Sequence, residues 1–204
     1  MFLAIRVPLD ATSTDPAEID TSQLSHDSLR RNVLQKLLSE FTSMGSAVRT
    51  VASDGVHLTL KFFGDLTREQ IQTASEVVSA VTAETGGFDF HLRGLGAFPS
   101  ERRPAVIWAG VADGTACASL VEALEVALDE AGFPKEVRPF QPHVTLARVK
   151  SRPPERLAEL LSEFADTDFG SFPVSSIELI ASELTPIGPI YLTLAEFRLD
   201  VSCV

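Results

Sequence analysis

The chain has 204 residues, 45% of them hydrophobic, which is enough to bury a substantial core as one domain or as two small lobes and too apolar for disorder. A formal net charge of -11 excludes a broad basic surface that would coat duplex DNA or RNA, while leaving room for a local positive cluster in a cleft that takes an anionic substrate. No run approaches the roughly 20 apolar residues of a membrane span, and Cys117 and Cys203 stand at no spacing for a disulfide framework or a zinc site, so a reducing cytoplasm is the expected compartment.

The opening run MFLAIRVPL alternates as a strand does; Arg6, Pro8 and Asp10 break its apolar character and argue against a signal peptide. A polar, turn-rich stretch, DATSTDPAEIDTSQ, follows. Leu29, Val33, Leu37, Leu38 and Phe41 then recur at helical spacing up to a stop at Gly45. The strand-like run HLTLKFF begins at His57. A second helix carries Ile71, Ala74, Val77, Val78 and Val81 and ends near Gly86 and Gly87. Two strands, FDFHLRGLGAF and AVIWAGV, flank the loop PSERRP. The third helix presents Leu120, Val121, Leu124 and Leu128 and is stopped by Gly132 and Pro134. The run HVTLARV begins at His143. Pro153 and Pro154 suit the start of a fourth helix, which buries Leu157, Leu160, Leu161 and Phe164. Two further strands, FPVSSIELIASEL and YLTLAEFRLDV, complete the pattern.

One order of elements is used twice: strand, helix, strand with His-x-Thr, helix, strand. The expected fold is therefore α+β and bilobal, with two pseudo-symmetric lobes, each a mostly antiparallel sheet covered by helices, around a central cleft. It is expected as a single monomeric catalytic domain over 1–204, its two units being roughly 1–100 and 101–204.

Side chains alternate across a strand, so His57 and Thr59 share a face, as do His143 and Thr145. Leu58, Leu60 and Phe62, with Val144 and Leu146, are the expected core contacts on the opposite faces. A single His-x-Thr is an ordinary half-buried strand; two in matching settings point to a shared site. Metal binding fits poorly, because threonine is a weak ligand and no clustered Cys, Asp or Glu completes a set, so neither metal nor cofactor is expected. Two imidazoles facing one another suit acid-base chemistry near neutral pH, and each threonine hydroxyl can hold a non-bridging phosphate oxygen.

The segments HLTLKFFGD and RPFQPHVTLARV resemble the paired signatures of the two-histidine phosphoesterases, in particular the bacterial RNA 2′,3′-cyclic phosphodiesterases once called 2′-5′ RNA ligases. FLAIRVP, GLGAFPSERRPAVIWAGV and GPIYLTLAEF are similar to segments at the same places in that family. The resemblance implies a bilobal fold and hydrolysis of a terminal 2′,3′-cyclic phosphate to a 2′-phosphomonoester, with RNA ends or small cyclic nucleotides as substrate. It makes His57 the proton donor to the departing 3′ oxygen, His143 the proton acceptor that activates water, and Thr59 and Thr145 the phosphate holders. The reversed assignment of the histidines stays open, as does reversal of the reaction into 2′-5′ ligation.

Further candidates surround these four. Lys61 shares the His57 face by alternation, where it would either add positive charge near the phosphate or simply end the strand in solvent. Arg148 falls on the wrong face by alternation, but its place in TLAR favours the cleft, which a bulge would allow. Arg102 and Arg103 in the loop would meet RNA phosphates or serve only solubility, and Phe140 and Tyr191 would stack on a base or support the cleft, core packing being the stronger reading for Phe140. His26 and His91 lack a threonine partner and are read as structural. Family members often carry a tryptophan and a basic residue just before the first motif; RTVASDGVHLT lacks both, which bears on nucleotide preference and RNA affinity. Two other readings stay open: a phosphodiesterase for another cyclic or 2′-5′ linked nucleotide, and a non-catalytic module that binds RNA ends.

Overall fold

The computed structural model describes residues 1–9, 26–185 and 188–200. In these, nine strands and four α-helices form an α+β fold: β1 Phe2–Arg6, α1 His26–Ser43, β2 Val48–Thr50, β3 His57–Phe62, α2 Arg68–Ala83, β4 Phe88–Phe98, β5 Val106–Val111, α3 Thr115–Glu130, β6 His143–Val149, α4 Glu155–Glu163, β7 Asp168–Val174, β8 Ser176–Thr185 and β9 Gly188–Arg198. The helices lie where the apolar periodicity predicts them. Local chemistry fixes α2 most clearly: the Thr67 side chain accepts from the Gln70 amide while the Gln70 side chain accepts from the Thr67 amide, which is a reciprocal capping box.

All the strands join one antiparallel sheet in the order β7-β4-β5-β6-β3-β1-β8-β9, with β2 paired to β6 beside β3. The seam between the two flanks is thin, since β3 and β6 meet at the single pair Leu58 and Val144. The flanks do not follow the two halves of the chain. β4 from the first half lies between β5 and β7, and β8 from the second half pairs with β1. The expected division near residue 100 is therefore not the division of the sheet, because neighbours in a sheet are chosen by pairing and not by chain order.

A second difference concerns FPVSSIELIASEL, expected as one strand. It forms the end of β7 and most of β8, which pair with β4 and β1 respectively and so run in different parts of the sheet. Ser175 is the break between them. β2 was not expected at all; three residues are too few to show a period.

The main core gathers Leu58, Leu60, Val144 and Leu146 with the apolar sides of the helices, including Leu37, Phe41, Val78, Leu124 and Leu160. These four strand positions are at most 4% exposed, so the helix-covered face of the sheet lies on their side. His57, Thr59, His143 and Thr145, all partly exposed, lie on the other.

Candidate active site

The antiparallel pair Leu58 and Val144 sets the frame of the site. Continuing the register one residue each way places His57 across from Thr145 and Thr59 across from His143. The two histidines are then diagonal neighbours, a relation that separates residues by about 7–8 Å. Each motif thus sets its histidine beside the other motif's threonine.

Both rings are fixed in the same way. His57 Nδ1 is 2.6 Å from the carbonyl oxygen of Gly55, and His143 Nδ1 is 2.7 Å from that of Gln141. A carbonyl only accepts, so in both rings Nδ1 carries the proton and donates, leaving Nε2 for a substrate.

The surroundings of the rings differ. Phe2 stacks on His57 with ring centroids 4.8 Å apart, and Tyr191 meets it edge-on at 5.3 Å. Phe98 meets His143 edge-on at 5.1 Å, with Trp108 behind it at 6.4 Å. Trp108 lies across Gly96: a Cβ there would be 2.3 Å from the indole ring. Burial lowers the pKa of His57 below its usual value against the raising bond to Gly55, and the nearby Arg6 and Arg148 lower it further, while Glu178 raises it. Burial also pushes the Tyr191 phenol up, against the pull of Arg148 and Arg6, so it stays protonated near neutral pH.

Both motif strands carry a bulge at the same position. In β3 the partners step from Thr59 to Lys61 opposite Ala4 and Leu3, so Leu60 is the extra residue. In β6 they step from Thr145 to Ala147 opposite Trp108 and Ile107, so Leu146 is the extra residue. A bulge reverses the alternation beyond it. Arg148 accordingly turns to the His143 face, near enough to influence both His57 and Tyr191.

The same device removes Lys61 from the expected face. It is 5% exposed and points into the helix-covered side, where Nζ lies 2.7 and 2.8 Å from the two carboxylate oxygens of Glu125 on α3 and 2.9 Å from the Pro134 carbonyl. Lys61 is therefore a buried structural ion pair and not part of the cleft. Phe62, expected in the core, is turned out instead and is 67% exposed, with its ring 5.8 Å from that of Phe2.

Phe140 packs against the main core. Arg102 and Arg103 are exposed in the turn between β4 and β5, which starts beyond Phe98. His26 begins α1, and His91 pairs with Asp168 at 2.8 Å between β4 and β7, away from the two motifs. Among the described residues there is no cluster of three His, Cys, Asp or Glu that would hold a metal.

Sequence reasoning missed Phe2, Phe98, Trp108 and Arg6. Arg6 pairs across the sheet with His57; its Nε is 3.1 Å from Glu178, its Nη1 donates to the Asp54 carbonyl at 2.6 Å, and its Nη2 donates to the Thr193 hydroxyl at 3.2 Å. A charge inside an apolar strand was the available signal for Arg6. The aromatic residues became visible only through cross-strand register.

A family model described as the 2′-5′ RNA ligase superfamily matches residues 29–185. The chain is 39% identical to an RNA 2′,3′-cyclic phosphodiesterase of Aeropyrum pernix over 81% of this chain and 94% of that one. It is 35% identical to an RNA 2′,3′-cyclic phosphodiesterase of Methanothermobacter thermautotrophicus over 83% and 92%. Among solved structures, one from Thermus thermophilus superimposes with a TM-score of 0.75 at 26% identity, covering 97% of this chain and 96% of that one. E. coli LigT complexed with 3′-AMP shares the fold, with a TM-score of 0.66 at 24% identity over 97% and 96%.

Proposed function

Because the chain belongs to the 2′-5′ RNA ligase superfamily, we propose that it is an RNA 2′,3′-cyclic phosphodiesterase that opens a terminal cyclic phosphate to a 2′-phosphomonoester. The observation that carries this reading is the duplicated histidine setting, with each Nδ1 tied to the carbonyl two residues earlier and each Nε2 left for chemistry.

In the proposed reaction the cyclic phosphate sits between the motifs, and the Thr59 and Thr145 hydroxyls donate to its non-bridging oxygens. Arg148 adds positive charge on the same face, favouring the charge that accumulates in the transition state. Nε2 of His143 takes a proton from water, the water oxygen bonds to phosphorus, and the bond from phosphorus to the 3′ oxygen breaks. Nε2 of His57 gives its proton to that oxygen, leaving a 3′ hydroxyl and a 2′-phosphate. The ring strain of the cyclic ester assists departure. With an RNA 5′ hydroxyl attacking in place of water, the same arrangement forms a 2′-5′ linkage. Tyr191 beside His57 and the exposed Phe62 beside Phe2 offer aromatic faces on which a base can stack.

No helix among the described residues is long and apolar enough to cross a membrane. A monomer working in the cytoplasm on RNA ends completes the proposal.

The test is incubation of a 2′,3′-cyclic-phosphate RNA with the protein in chelator, followed by identification of the product. A 2′-phosphate is expected, and His57→Ala and His143→Ala should each lower turnover by about 10²–10⁴-fold while leaving the thermal midpoint near that of the parent. Binding without turnover would make the chain an RNA-end-binding module, and turnover confined to a 2′-5′ dinucleotide would move the substrate class.

A further inference from the structure

The acidic average of the chain is reversed at one end of the site. We propose that Arg49, Arg148, Lys150 and the turn bearing Arg102 and Arg103 form a track for the backbone of single-stranded RNA. The preferred substrate is then an oligonucleotide whose cyclic end lies between the histidines and whose 5′ side runs along β6 towards Lys150. This rests on the cyclic phosphodiesterase reading above.

The placement follows from strand pairing. Beyond the Leu146 bulge, Arg148 is flanked by Arg49 on β2 and by Val106 on β5. Two arginines directly opposite in an antiparallel pair repel one another and destabilise the sheet unless an anion lies between them. The Val149 amide donates to the Ala105 carbonyl at 2.9 Å, which holds the start of β5, and with it the turn bearing Arg102 and Arg103, beside the end of β6. The Lys150 amide donates to the Ala47 carbonyl at 2.8 Å, extending the ladder past Arg148.

All five side chains are exposed, and among the described residues none has a carboxylate partner, although Glu101 shares the turn with Arg102 and Arg103. Several cations elsewhere are paired: Arg6 with Glu178, Lys61 with Glu125, Lys135 with Asp129, Arg138 with Glu136 and Arg156 with Glu159. In a chain with 28 acidic and 17 basic residues, unpaired cations gathered on one face mark a place for an external anion. At ~3.3 Å per residue the path from His143 to Lys150 runs roughly 20 Å, longer than a terminal phosphate needs. Its continuity with the phosphate site through Arg148 favours a polynucleotide over an acidic peptide.

The experiment compares kcat/KM on a 2′,3′-cyclic mononucleotide and on a hexanucleotide ending in the same nucleotide, over a salt series, for the parent and for Arg49→Ser with Lys150→Ser. In the parent the hexanucleotide should win by at least about 10-fold at low salt, an advantage falling with salt by about 0.7 log units per log unit for each phosphate contacted. The double variant should lose most of that advantage and about 1.4 of the slope while mononucleotide turnover stays within about two-fold; Arg49→Lys with Lys150→Arg should restore it. No advantage in the parent, or an advantage that survives in the double variant, would overturn the track. Competition by poly-glutamate as strong as that by an uncyclised oligonucleotide would also overturn it, assigning the face to an acidic protein. Should neither substrate be hydrolysed, the enzymatic reading fails on its own. The track is then judged by fluorescence anisotropy of a labelled hexanucleotide ending in a 2′-phosphate: salt-sensitive binding lost in the double variant supports it, and no binding ends it.

Discussion

His57 must be protonated to serve as the proposed acid, yet its setting favours the neutral ring. Burial between Phe2 and Tyr191 withholds solvent from the imidazolium, and the positive charges of Arg6 and Arg148 oppose it further. A bound phosphate anion acts the other way and helps restore the proton. The pH profile of kcat/KM reports the free enzyme, and that of kcat the complex. Loss of activity with rising pH should therefore begin below the usual histidine range in kcat/KM and at higher pH in kcat. Arg6→Met removes a cation that lowers His57 and leaves Glu178, which raises it, so the alkaline limb of kcat/KM should move upward. Movement of the acid limb instead would make His57 the base and exchange the two roles. Stationary limbs would show that Arg6 does not act on His57.

At the scale of elements, helices and most strands were legible because burial imposes a period, and the two motifs were legible because they repeat. The bulges were not. Nothing local in TLKF or TLAR marks Leu60 or Leu146 as the extra residue, and only cross-strand partners reveal that Lys61 turns inward and Phe62 and Arg148 turn out. Partner choice also decides how β4 and β5 support His143. Gly96 and Trp108 are cross-strand partners, and the missing side chain at Gly96 lets the indole lie flat behind Phe98 and His143. In Gly96→Ala the new Cβ would be 2.3 Å from the ring, so the indole must shift. Overpacking of this kind destabilises by about 1–3 kcal/mol, and displacement of His143 should lower kcat by at least about 10-fold, since an error near 1 Å can reduce rates about 100-fold. Gly86→Ala is the control, because a Cβ there meets nothing within 4 Å and both measures should stay unchanged. Parent-like kcat in Gly96→Ala would separate the tryptophan from the chemistry.

At the scale of the whole molecule, the repeated order of elements suggests two units joined end to end, whereas the sheet interleaves them. β4 carries the last residues of the first hundred, yet both its neighbours, β5 and β7, come from the second hundred. β1 opens the chain and is covered on one side by β3 and on the other by β8. The apolar core is correspondingly shared: Leu3, Ile5 and Leu58 from the first half belong to one cluster with Val144, Phe169, Phe172 and Ile177 from the second. A fragment of residues 1–100 would expose the edges of β4 and one edge of β1, and a fragment of 101–204 would leave β8 and β9 as a hairpin without β1. An isolated hairpin is marginal in water, and bare apolar edges favour aggregation. Neither fragment should therefore give a cooperative thermal transition in circular dichroism, while the two mixed in equal amounts during refolding should recover strand content and some phosphodiesterase activity. A sharp, reversible transition in either fragment alone would show that one flank of the sheet folds without the other, and would restore the halves of the chain as its physical units.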